Sequence, residues 1–267
     1  MSKLRLCPLK SSSKGNATLV LENTTKILVD CGISGKSLAE SLSNLGISPE
    51  ELDAILITHE HSDHTKGIGI VSRKFGLPIY ANAPTWQALD EQTKNLDPAN
   101  KKTFTTGCEF YINDIKITPF KTSHDAAQSV GYVFETNGSK VAIATDMGIV
   151  TSQTLDTLTG CDAVLIEANY DPNLLEIGSY PYELKRRIKS DIGHLSNDDS
   201  GALAQSLAQS GTKEIILGHL SEENNFPQLA LKTVENFLLP LLSSSNFPKL
   251  SVVARDGEII CSDCQNT

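Results

Sequence analysis

Thr58-His59-Glu60-His61-Ser62-Asp63-His64 is the stretch whose reading decides the fold. It follows Ala54-Ile55-Leu56-Ile57, a short continuous apolar run of the kind that forms a buried strand. Residues two apart on an extended segment point the same way, so His59 and His61 can converge on one ion. Asp63 and His64 lie where the segment turns into a helix, in reach of a second ion. Four ligand-type residues in six positions have no packing use, and neutral imidazole is the commonest metal ligand.

A zinc-like ion needs about four N, O or S ligands, so the rest must come from elsewhere in the chain. The chain has six histidines, and three lie outside this hexapeptide. His124 follows Thr122-Ser123 after the run Ile115–Pro119, and His219 follows Ile215-Ile216-Leu217-Gly218. Asp146 closes Ala142-Ile143-Ala144-Thr145 in the same manner. Each polar residue ends an apolar run, where loops carry functional groups on a rigid sheet. The last histidine, His194, stands in Gly193-His194-Leu195-Ser196-Asn197, just before a helix that Ser196 or Asn197 is placed to cap.

Working outward, the elements alternate. Leu19–Leu21 and Ile27–Val29 read as paired strands, and Ser34 caps a helix through Leu45. One helix is expected from about Thr65 to Phe75, ended by Gly76. Strands follow at Phe110–Ile112, Ile115–Pro119, Val130–Glu135, Lys140–Thr145 and Ala163–Glu167. Helices are expected over Pro181–Ser190, Asn197–Ser210 and Pro227–Leu242, with strand Glu214–Leu217 between the last two. Ser251–Ala254 and Glu258–Cys261 read as a closing hairpin around Asp256-Gly257. An α/β chain of two sheets face to face, with helices outside, satisfies this pattern.

The 267 residues are 39% hydrophobic and 21% charged, enough for one large core, and no linker composition divides residues 1–267, so one domain is expected. No 18-residue apolar run predicts a membrane span, and the first residues do not read as a signal peptide, which points to the cytoplasm. The six cysteines are dispersed and read as reduced thiols, the lone Cys261-x-x-Cys264 included. The formal charge is 23 − 32 = −9. That does not favour long-range attraction to nucleic acid, but two bound divalent ions would reverse the field locally.

The Thr58–His64 run, with His124, Asp146 and His219 in order and context, resembles the H-x-H-x-D-H signature and later motifs of the metallo-β-lactamase superfamily. The resemblance implies a four-layer αββα sandwich. It implies two divalent ions, zinc or manganese with iron as a third choice, one held by His59, His61, His124 and Asp146. The other falls to Asp63, His64, His219 and the shared Asp146. No cysteine sits in the motifs, whereas secreted β-lactamases often use a cysteine ligand, and His61 stands where flavo-diiron proteins carry Glu. Too few residues separate Asp146 from His219 for the extra domain of RNase J-type nucleases. The chain is most similar to the WalJ/YycJ-type branch, through Ser13-Lys14-Gly15-Asn16-Ala17, Ala81-Asn82-Ala83-Pro84-Thr85-Trp86, Gly193–Asn197 and Leu217–Ser221 with Asn224-Asn225.

That branch implies phosphodiester hydrolysis, with a 5′–3′ DNA exonuclease acting in repair as the expected activity and a metal-bridging hydroxide as the nucleophile. Asp63 and His194 are the expected catalytic residues, His194 contacting the scissile phosphate and protonating the leaving oxygen. Lys185, Arg186 and Arg187 are placed to bind flanking phosphates. The alternative is a hydrolase of a small cyclic phosphodiester or thioester on the same ions. Glu60 is expected to hold the loop, and Asp30 to orient a metal-binding histidine. Tyr80 and Trp86 adjoin apolar runs and read as core packing before base stacking.

Overall fold

The computed structural model describes residues 3–89, 93, 95–242, 247–253 and 259–262. Six strands form the first sheet in chain order: β1 (Arg5–Ser12), β2 (Gly15–Glu22), β3 (Thr25–Val29), β4 (Ala54–Leu56), β5 (Ile79–Asn82) and β6 (Lys101–Phe104). Its first three strands are antiparallel and the rest parallel. The second sheet contains β7 (Phe110–Ile112), β8 (Ile115–Lys121), β9 (Val130–Thr136), β10 (Ser139–Ala144), β11 (Ala163–Glu167), β12 (Glu214–Gly218) and β13 (Lys249–Val252). Strands β7 to β10 form an antiparallel meander, and β10 to β13 run parallel.

Alternation along the strands builds three apolar layers. Between the sheets lie Leu6, Val20, Ile27 and Leu56 against Ile117, Tyr132, Phe134, Leu165 and Ile216. Outside the first sheet, Leu28, Ile55 and Ile79 meet Leu38 and Leu42 of α1 (Gly35–Ser43). They also meet the helix that follows the histidine run. That segment is not the single helix expected from Thr65 to Phe75. It splits into α2 (Ser62–Thr65) and α3 (Ile68–Phe75) at Gly67, whose N–H donates to the Cys31 carbonyl at 2.7 Å. A β-carbon on Gly67 would stand 2.2 Å from the Ile33 oxygen, so the approach requires glycine. Asn82 caps the next helix, α4 (Ala83–Ala88).

Outside the second sheet, Val164, Ile166 and Ile215 meet α5 (Ser152–Leu158), α8 (Asn197–Gln209) and α9 (Pro227–Leu238). Helix α8 begins with a capping box in which Ser196, one of the two caps the sequence offered, accepts from Asp199 N–H. Two short helices, α6 (Pro172–Ile177) and α7 (Tyr182–Ile188), stand apart from these layers on a cluster of their own, Tyr170, Leu175 and Ile188. The result is the four-layer αββα sandwich. Among the described residues no helix is long and apolar enough to cross a membrane.

Two expectations at the chain's end are corrected. The segment 259–262 does not turn back on β13. It runs beside β1 of the other sheet, where Ser262 N–H donates to the Leu6 carbonyl at 2.8 Å and Leu6 N–H to Ser262 Oγ at 2.8 Å. The edge of β1 offers unpaired backbone groups that a nearby hairpin partner would not satisfy; Asp256 and Gly257 lie outside the described residues. The same path brings Cys261 to Cys7, and the two form a disulfide with Cα atoms 4.2 Å apart. Cys31, Cys108 and Cys161 are free thiols, as expected, and Cys264 lies outside the described residues. Spacing cannot foresee a pair 254 residues apart.

Candidate metal centre

Every residue of the centre leaves a sheet at the same edge, where the parallel strands present their C-terminal ends. Asp30 follows β3, the histidine run follows β4, and His124 follows β8. Asp146 follows β10, Glu167 ends β11, and His219 follows β12. Such an edge is where open α/β sheets gather ligands. Among the described residues five non-glycine residues have positive φ, and three are here: Asp30 (59°), Asp146 (60°) and His219 (53°). The left-handed conformation costs such residues about 1–3 kcal/mol each and persists only where surroundings over-determine it. It turns each side chain sharply off its strand into the centre.

The seven expected ligands converge. Ligand atoms of His59, His61 and His124 all lie within 4.8 Å of one another, as do those of His59, His64 and Asp146, and those of Asp63, His64 and His219. Asp146 sits between the groups: Oδ2 is 3.5 Å from His64 Nε2, and Oδ1 is 3.7 Å from His124 Nε2 and 3.4 Å from His219 Nε2. Asp63 Oδ2 lies 3.3 Å from His64 Nε2 and 3.6 Å from His219 Nε2. His59 Nε2, His219 Nε2 and Asp146 Oδ2 are buried without a hydrogen-bond partner. Orphaned buried polar atoms are costly. Three of them aimed at one place, with imidazole and carboxylate donors around, fit divalent cations.

A surrounding set of polar groups fixes these rings. Asp30 Oδ2 stands 2.7 Å from His64 Nδ1, and the Thr58 N–H and hydroxyl donate to the same carboxylate at 2.9 and 2.8 Å. Asp30 therefore plays the orienting role expected of it. Glu60 holds the loop: its Oε1 accepts from Ala127 N–H at 2.7 Å. Gly32 passes under the Asp63 carbonyl so closely that a β-carbon would sit 1.5 Å from that oxygen. The His124 Nδ1–H donates to the Gly193 carbonyl at 3.0 Å, leaving Nε2 for the centre.

Three contributors escaped the sequence reading. Glu167 is fully buried. Its Oε1 accepts from Met147 N–H at 2.7 Å and Leu195 N–H at 3.0 Å. Its Oε2 lies 3.1 Å from His194 Nδ1 and 3.4 Å from His219 Nδ1. With both oxygens so engaged, Glu167 orients two imidazoles and has little left for an ion, although it lies within ligand distance of Asp146, His194 and His219. Its signal was present: a lone carboxylate closing an apolar run, as at Asp146. Asn16 Nδ2 reaches Asp63 Oδ2 at 3.2 Å from the start of β2, and Asn169 Nδ2 donates to the His219 carbonyl at 2.8 Å. Neither has a signature distinct from a turn asparagine.

The electrostatics follow from burial among like and unlike charges. Burial pulls the pKa of His59 well below its ordinary value, and the His64 ring adds to it. Burial would lower His219 too, but the Asp146, Asp63 and Glu167 carboxylates outweigh it and raise His219 to about 10. Asp146 and Asp30 likewise carry His64 well above the usual range against burial. Burial would raise the Asp146 and Asp63 carboxyls, and the imidazoles around them hold both well below. Without cations the centre thus stores protons on some histidines against fixed carboxylates.

His194 lies at the rim, its side chain 15% exposed. A cleft of about 200 Å³ opens over the centre, lined on one side by His61, His124, Asp146, His194 and His219 and on the other by Tyr180, Leu184, Arg187 and Ile188. The three basic residues expected to bind phosphates separate. Only Arg187 lines the cleft, its guanidinium Nη2 donating to Asp125 Oδ1 at 3.0 Å. Lys185 Nζ donates to the Glu176 carbonyl at 2.6 Å and Arg186 pairs with Glu183 at 3.2 Å. Consecutive helical positions point about 100° apart, so one helix face cannot present all three. Tyr80 stacks on Phe110 with centroids 5.5 Å apart, a packing role, and Trp86 is half-buried on the layer outside the first sheet.

Comparison with known proteins agrees with this geometry. Residues 25–220 match the family described as the beta-lactamase superfamily domain. The chain is 43% identical over 233 residues to the exodeoxyribonuclease WalJ of Streptococcus pneumoniae, covering 86% of each. It is 38% identical over 235 residues to the exodeoxyribonuclease YycJ of Bacillus anthracis, covering 88% of this chain and 89% of that one. Among solved structures, the metallo-beta-lactamase fold protein YhfI of Bacillus subtilis superposes with a TM-score of 0.74 at 16% identity, over 97% of this chain and 99% of that one. At that identity the likeness speaks for the fold alone.

Proposed function

The chain belongs to the beta-lactamase superfamily domain family, and from that premise we propose that it is a metal-dependent exodeoxyribonuclease, hydrolysing DNA phosphodiesters in the 5′–3′ direction in the service of repair. The observation that carries the reading is the convergence of seven ligand side chains around three orphaned buried atoms, in a chain 43% identical to a protein named for that activity. We place the enzyme in the cytoplasm, with its substrate.

Two divalent ions fit the donor set, one on His59, His61, His124 and Asp146 and one on Asp63, His64, His219 and Asp146. Bound there, such ions supply Lewis acidity to the phosphoryl oxygens and a lowered pKa to the attacking water, and zinc, manganese and iron all suit these ligands. The chain's own residues do the rest. Asp146 offsets charge between the two positions, and Asp63 adds a carboxylate beside the second. Glu167 accepts the Nδ1–H of His194, which leaves His194 Nε2 toward the cleft. There, with Nε2 also protonated and the imidazolium balanced by the Glu167 carboxylate, it contacts the scissile phosphate through Nε2–H and delivers that proton to the leaving oxygen as the P–O bond breaks. Arg187, released from Asp125, neutralises a phosphate oxygen.

An assay on duplexes labelled at defined 5′ or 3′ ends, with chelated protein and each metal added back, tests the reading. Metal-restored release of nucleotides from the 5′ end is expected, and no DNA cleavage with any metal would refute it. The small cleft favours a second reading, hydrolysis of a cyclic phosphodiester or thioester, and the same series with those substrates separates the two.

A further inference from the structure

The cleft has two unlike halves, and the apolar side chains of one have no part in hydrolysis. The metal half consists of histidines and carboxylates. The other half, Tyr180, Leu184 and Ile188 with Arg187, comes from a single excursion of the chain between β11 and α8. That excursion has its own small core, Tyr170, Leu175 and Ile188, against which Tyr180 and Leu184 pack. It is tied down at both ends. Asp171 N–H donates to the Asn224 carbonyl at 2.9 Å, and His194 N–H donates to the Ile188 carbonyl at 3.0 Å. Gly193 permits that last approach, since a β-carbon there would stand 2.2 Å from the Ile188 oxygen. The wall is therefore held in place beside His194.

Phosphate chemistry has no use for an aromatic and aliphatic wall, whereas a nucleoside does. Bases stack on aromatic rings regardless of sequence. A cation stands at one rim: Arg187 on the excursion, ion-paired with Asp125. The volume sets the occupant. About 200 Å³ lies below the ~300–1,000 Å³ of common small-molecule sites, and His124, Asp146 and His219 are buried at its floor. A cleft of this size suits one nucleotide better than a base pair, and an intact duplex end would keep its terminal phosphodiester at the rim.

We propose that the α6–α7 excursion is a nucleoside-binding wall, and that the cleft accepts one unpaired terminal nucleotide with its base against Tyr180, so that a DNA end must fray before it is cut. The inference rests on the exodeoxyribonuclease reading and adds the form of the substrate. Extruding a terminal base costs least where pairing is already lost.

The test uses three duplexes of one sequence: terminal pair matched, terminal pair mismatched, and terminal pair joined by a covalent interstrand cross-link that leaves the terminal phosphodiester intact. The metal-loaded enzyme should cut the mismatched end fastest and the cross-linked end slowest. Tyr180→Ala should raise KM for the mismatched end roughly ten-fold, the scale of one lost base stack, and shrink the preference for it, while Tyr180→Phe keeps both. Equal rates on all three duplexes, or an unchanged KM in Tyr180→Ala, would overturn the proposal and leave the exonuclease reading standing. Turnover of bis(p-nitrophenyl) phosphate without cleavage of any DNA would overturn both.

Discussion

Glu167 Oε2 lies 3.1 Å from His194 Nδ1, and this contact joins the rim of the centre to its buried interior. The carboxylate is fully buried, and burial alone would raise its pKa. The His194 and His219 imidazoles outweigh burial and keep it below the ordinary range. One side chain thus sets the ring orientation of an expected ligand and of the expected proton donor.

Glu167→Gln should therefore lower turnover by about 10–100-fold, the usual cost of removing a carboxylate behind a metal-site histidine. His194→Ala should keep both metals and lose about 10²–10⁴-fold in kcat. Metal content by plasma mass spectrometry beside steady-state rates checks the pair. Full turnover in metal-replete His194→Ala would remove its catalytic duty.

The pH response of the metal-free protein follows from His219 and His64, whose folded pKa values stand above the unfolded value of about 6.5. Such groups stabilise fully below the unfolded value, and that stability is lost as pH rises through the folded one. His59 is shifted downward, so it is neutral in both states above 6.5 and contributes nothing there. The Tm of chelated protein should fall as pH rises from about 6.5 toward 10. Metal binding should release protons in calorimetry across buffers of different ionisation enthalpy. A chelated Tm flat over that window would contradict the assignment.

Arg187 and Arg186 are adjacent yet should behave differently. Arg187→Ala should raise KM for DNA several-fold and reduce the slope of log KM against log salt by about one. Arg186→Ala, on the exposed face beside Glu183, should change neither. Equal effects would mean that the substrate runs across the outside of α7 and not into the cleft.

Cys7→Ser or reduction with dithiothreitol should lower stability by about 2–4 kcal/mol, because the bond closes almost the whole chain into one loop. Denaturation of the oxidised and reduced forms, with a non-reducing gel to verify the bond, measures this. Equal midpoints would show that the pairing of Ser262 with Leu6 alone holds the C-terminal segment.

Much of the centre was legible because its ligands obey local rules. A polar residue that ends an apolar run stands at a strand end whatever the rest of the chain does, which locates His124, Asp146 and His219. The buried strands β4, β11 and β12 were visible as apolar runs for the same reason. Strands β5 and β6 and helix α4 were not, since their patterns are short and depend on neighbours for burial. The single helix expected after the histidine run broke at Gly67, because a contact with Cys31 outranks local propensity.

The sequence by itself determined the ligand types, their order and the strand ends that carry them, because hydrophobic periodicity and ligand chemistry are properties of short segments. Only the tertiary structure decided that Glu167 stands behind both His194 and His219, that Arg187 alone of its basic run reaches the cleft, and that Cys261 meets Cys7. Those relationships join residues far apart in the chain or depend on which way a helix faces. They are set by how the layers pack, and no local pattern encodes them.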